Sequence, residues 1–105
     1  MQLTKLVSFL ASAILVVADG LNAYDLIRNT LGQYPLAIDS KNFTALSLVF
    51  TTDIVANYSD PIGVISGLPT VEQTLAAILA PVTTQHALST QVIDLTADNT
   101  ASTTT

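Results

Sequence analysis

The chain has 105 residues, no cysteine, three Lys/Arg against eight Asp/Glu, and a formal net charge of -5 with its single histidine neutral. A chain of this length makes one domain, and the lack of thiols excludes disulfides, thiolate nucleophiles and thiolate metal sites together. After residue 20 the basic residues are Arg28 and Lys41 alone, too few to cluster on phosphates, so nucleic acid and anionic membrane surfaces are not expected as partners.

The N-terminus reads as a secretory leader over residues 1–20. Lys5 gives the positive start, Leu6 to Ala18 is an uncharged and mostly apolar run of 13 residues, and Ala18-Asp19-Gly20 offers small residues for cleavage. A bilayer span needs about 20 apolar residues, so the run is short for an anchor. A buried first helix is the alternative. The mature domain is then 21–105, secreted or held in the secretory pathway, with no membrane contact after leader removal. The sequons Asn42-Phe43-Thr44 and Asn57-Tyr58-Ser59 agree with that route.

Along the mature chain, Tyr24, Ile27, Leu31, Tyr34 and Ile38 recur at helical spacing and predict a helix over 21–38. Pro35 should kink or end it. Asp39 to Asn42 is a polar break, and Ser40 or Asn42 offers a cap to a second helix. That helix is expected over 42–50, buried through Phe43, Leu46, Val49 and Phe50.

Ile54 to Tyr58 reads as a strand with Ile54, Ala56 and Tyr58 on one face, and Val64-Ile65-Ser66 as a short extended piece between glycines. Pro69, or the Thr70–Gln73 capping box, starts a helix over 69–80 with the stripe Val71, Leu75, Ile78 and Leu79. Thr83 to Leu95 is rich in Thr, Val and Ile, which predicts a long strand; a turn at Asp98-Asn99 then leads to a partner strand over 100–105.

The chemistry-bearing candidates are few. His86 falls on the more apolar face of the long strand, with Thr84, Leu88, Thr90 and Val92; there it is either a structural residue or a base usable near neutrality. Asp39, at the end of the first helix, caps a turn or orients an imidazole. Tyr58 is a core aromatic or a hydroxyl donor to a carbonyl. Tyr24 and Tyr34 read as packing residues. One histidine among scattered carboxylates does not make a transition-metal site, and no glycine-rich phosphate loop appears.

Three stretches carry a family resemblance: Tyr34 to Asp53, Gly67 to Glu72, and Thr84-Gln85-His86 with Leu88 to Thr90. In this order they resemble a SnoaL-like domain of the nuclear transport factor two-like superfamily over roughly 21–105. The resemblance implies an α+β fold, a cone-shaped curved antiparallel sheet packed against three helices, here lacking its C-terminal strands. The chain would then be an incomplete fold, or one that borrows strands by forming a homodimer.

Within that superfamily the chain is similar to scytalone dehydratases, which pair an aspartate with a histidine as base and use tyrosines to hold a water against the substrate carbonyl. The similarity places Asp39 on the aspartate, His86 on its partner and Tyr58 on one tyrosine. The other tyrosine falls on Ile38, which cannot donate, and a second pocket histidine would fall beyond Thr105. It implies a lyase, isomerase or cyclase acting on a small, mostly apolar carbonyl compound without a cofactor. A non-catalytic binding or association module, and a truncated inactive product, are the rival readings.

Overall fold

The computed structural model describes residues 22–97 and 99–105; the expected leader, 1–20, lies outside them. Helix α1 spans Ala23–Asp39, a 3₁₀ helix Phe43–Leu48, strands β1 and β2 Val55–Asn57 and Val64–Ser66, helix α2 Leu68–Leu79, and strands β3 and β4 Val92–Ala97 and Thr100–Thr104. The α+β class stands.

Asn22 starts α1, its side-chain oxygen accepting from the Asp25 amide at 3.0 Å. The helix runs on through Pro35 to Asp39, further than the proline led us to expect. Pro35 itself is buried, and Ala37 and Ile38 seat the last turn in the core. That packing outweighs the roughly 3 kcal/mol a helix-interior proline costs. The second helix forms as a tighter 3₁₀ turn, and neither proposed cap serves it. The Asn42 side chain accepts from the Thr44 hydroxyl, and the Ser40 hydroxyl donates back to the Leu36 carbonyl.

β1 and β2 pair antiparallel, with Ala56 opposite Ile65. Ile54 is buried and Val55 exposed, as the alternation predicts. Gly67 then turns the chain into α2 at φ 87°, a left-handed conformation where glycine avoids the Cβ penalty; as the cap it starts the helix at Leu68, one residue before the start expected at Pro69 and ahead of the Thr70 capping box. The core joins Ala37, Ile38, Leu46, Ile54, Ile65, Leu68, Val71 and Leu75. Ile38, Leu46 and Val71 have no exposed surface, and burying each such side chain is worth about 1.5–3 kcal/mol.

The cone-shaped curved sheet is not formed. The strands make two separate two-stranded sheets, β1–β2 and β3–β4, neither curled nor closed. The strand expected over 83–95 is confined to 92–97, and residues 83–91 have no regular structure. The physical reason is pairing. The β3–β4 register sets Val92 opposite Thr104, and among the described residues no strand lies beside 83–91 to take up its backbone groups. Without that long strand nothing bridges the two hairpins into one curved surface. The β3–β4 hairpin adds nothing to the buried core; Val92 and Leu95 are about half exposed.

Candidate active site

Asp39 is the last residue of α1, and the irregular segment 83–91 is laid against that helix end by the aspartate itself. Its Oδ1 accepts from the Thr84 hydroxyl at 2.8 Å and lies 2.8 Å from Nδ1 of His86; its Oδ2 accepts from the His86 backbone amide at 2.8 Å. Sequence reasoning placed His86 on a strand. The structure places it on an irregular segment without ladder pairing and still brings it onto Asp39.

The contact with His86, helped by the backbone amide and the Thr84 hydroxyl, outweighs partial desolvation and holds the Asp39 carboxyl down at about 2. Asp39 is therefore ionised at neutral pH and can only accept. The proton between the two groups consequently belongs to His86 Nδ1. A neutral ring in that tautomer carries its lone pair on Nε2, the atom that can act as a base.

Tyr58 and Tyr34 form the second part of the site. Their hydroxyls lie 3.3 Å apart, and the Tyr34 ring meets the His86 ring edge-on at 5.9 Å and the Phe50 ring at 5.9 Å. Burial, and then the bond to Tyr34, push the Tyr58 hydroxyl well above the ordinary phenol range. It stays protonated and available as a donor.

Tyr34 was read from the sequence as packing alone. It precedes Ile38 by one helical turn on the same face, so it brings a hydroxyl to the side of α1 where Ile38 has none. The available signal was chemical: a tyrosine on a core-facing stripe needs a partner for its O–H.

Thr84 and Lys41 were also missed. The Lys41 ammonium donates to the Thr84 hydroxyl at 3.0 Å, so the Asp39–His86 pair sits at the end of a four-residue chain of hydrogen bonds. A cavity of about 170 Å³ adjoins the aromatic side, with an apolar lining that includes Leu31, Tyr34, Pro35, Val49, Phe50 and Leu88. Tyr34 belongs to both features. Among the described residues no three His, Cys, Asp or Glu side chains converge as metal ligands would.

The family model of the SnoaL-like domain matches residues 19–105, and the chain belongs to that family. Comparison with curated proteins and with solved structures returns no match.

Proposed function

We propose that this domain acts on a small, mostly apolar carbonyl compound by removing the proton next to the carbonyl, with His86 Nε2 as base. The observation that carries the reading is the 2.8 Å contact between His86 Nδ1 and the ionised Asp39, which selects the tautomer a base requires. Nε2 takes the α-proton, the C–H electron pair forms the enolate double bond, and the carbonyl oxygen takes up negative charge. In this reading the Tyr58 hydroxyl, which stays protonated and is paired with Tyr34, donates to that oxygen. Return of the proton at a different carbon isomerises the compound, and its delivery to a β-hydroxyl releases water. Attack of the enolate on a second carbonyl closes a ring.

The cavity supports a mostly apolar substrate body, since the surface that lines it is almost wholly apolar. The leader-like sequence of residues 1–20 supports action in the secretory pathway or outside the cell. The test is deuterium uptake from D₂O at the methyl group of acetophenone, followed by NMR, with the wild-type chain and with His86→Ala. Uptake above the buffer rate that disappears in the variant supports the reading. Equal uptake with both, or none with either, overturns it.

A second reading, association into a homodimer, is favoured by one feature. Among the described residues no strand pairs with either outer edge of the β3–β4 hairpin, and Val92 and Leu95 on it are exposed, the arrangement that invites strand addition from another copy. Solution mass across a concentration series tests it: a dimer supports it, and a monomer throughout removes it.

A further inference from the structure

Lys41 occupies a backbone position that ordinarily belongs to glycine. Its amide donates to the Ile38 carbonyl at 3.1 Å, and the next amide, of Asn42, donates to the Ala37 carbonyl at 2.9 Å. Those two bonds are the Schellman closure of α1, with Lys41 as its left-handed residue at φ 61°. A residue with a Cβ pays roughly 1–2 kcal/mol there, which glycine avoids. The lysine is thus locally unfavourable, and its side chain has one partner that explains its presence: the Thr84 hydroxyl at 3.0 Å.

The direction of that bond decides what it does. An ammonium only donates, so the Thr84 oxygen must accept from Nζ, and the single hydroxyl hydrogen is left for another acceptor. Asp39 Oδ1 lies 2.8 Å away and receives it. Oδ1 then holds two donors, Thr84 and His86 Nδ1, while Oδ2 holds the His86 amide. Three donors on one carboxylate fix its plane, and the plane fixes the imidazole. Of the two basic residues after position 20, Arg28 pairs with Asp25 on the exposed face of α1 at 3.7 Å, and Lys41 stands over this site.

We propose that Lys41 is a positioning residue: through Thr84 it holds the Asp39 carboxylate in the orientation that keeps His86 in its Nδ1–H form. This deepens the proton-abstraction reading and rests on it for its functional meaning. The structural statement is tested without a substrate.

The experiment records ¹H–¹⁵N correlations of the His86 ring in the full chain with the ring neutral, where Nδ1–H and Nε2–H forms give different nitrogen shifts. Melting is followed on the same samples. The wild type is expected in the Nδ1–H form. Lys41→Gly and Thr84→Val are expected to raise the Nε2–H population about ten-fold or more, the scale of one lost charge-assisted bond. Lys41→Arg, which keeps a charged donor, should retain the Nδ1–H form.

The melting midpoint of Lys41→Gly should not fall, because glycine relieves the left-handed backbone. A wild-type tautomer ratio in Lys41→Gly overturns the proposal. So does a changed ratio accompanied by a lower midpoint, which would make Lys41 part of the helix closure only. Failure of the chain to exchange ketone protons removes the proposed reaction and leaves the tautomer comparison to decide the role of Lys41.

Discussion

Asp39 grips His86 at two points, Oδ1 on the ring Nδ1 and Oδ2 on the backbone amide, each at 2.8 Å. The two contacts do different work. The amide bond fixes where the segment 83–91 lies, and the ring bond fixes which nitrogen carries the proton. Removing the charge while keeping the shape separates them. Asp39→Asn keeps an acceptor oxygen but offers Nδ1 a neutral amide, so the Nδ1–H form loses its preference. Deuterium uptake by acetophenone should fall by about 10²–10⁴, the range a positioned acid–base group supplies, and the melting midpoint at neutral pH should fall with it, because the charge that favours the folded state is gone.

The same carboxyl sets a pH dependence of stability. Its value in the fold, about 2, lies below the ordinary 3.8, so folding favours the ionised form. The stabilisation is therefore fully present above about pH 4 and is lost as pH falls through the folded value. Urea unfolding between about pH 4 and pH 2 should show a steeper decline for the wild type than for Asp39→Asn. Parallel curves would mean the contact does not persist in solution.

Tyr58→Phe removes the proposed donor to the carbonyl and leaves the Tyr34 hydroxyl without its partner at 3.3 Å. The stability cost should be about 1 kcal/mol. The loss in ketone exchange should be larger, roughly 10²-fold, the scale of one lost donor to a developing oxyanion. A loss confined to stability would make the tyrosine pair structural.

The core is small enough for single truncations to be decisive. Leu46 is fully buried and Leu48, two residues on, is 64% exposed. Leu46→Ala should cost about 2–5 kcal/mol, enough to unfold a marginal domain. Leu48→Ala should stay within about 0.5 kcal/mol of the wild type. Chemical denaturation of the pair tests whether the 3₁₀ turn packs with this face inward.

Local pattern was legible where periodicity and burial agree. Ile27 with Ile38 on α1, Leu46 with Val49, and Val71 with Leu75 on α2 are buried as their spacing indicates. A turn near Asn99 with a partner strand over 100–105 was equally readable from residue type, and 100–104 pairs there with 92–97. The long strand over 83–95 was not, because Thr, Val and Ile favour a strand only where a neighbour completes its hydrogen bonds, and sequence composition does not show the neighbour. The cone depended on that strand and went with it.

At the site, the Asp39–His86 pairing was one of two readings of Asp39 open from residue type, beside a cap or turn, and the family resemblance favoured it; the two residues are far apart in sequence. Tyr34, Thr84 and Lys41 escaped notice because each has an ordinary local role. Their meeting is set by the close of α1 and by the course of an irregular segment, neither of which follows a period.

Amide hydrogen exchange across residues 83–91 decides whether Asp39 holds His86 in solution. This segment lacks ladder bonds, and the His86 amide is held by Asp39 Oδ2. The account predicts that His86 exchanges about ten-fold or more slowly than Gln85 and Ala87, and that Asp39→Ala abolishes the difference. Uniformly fast exchange would show that Asp39 does not hold His86. Uniform protection across 84–91 would show a formed strand and contradict the fold described.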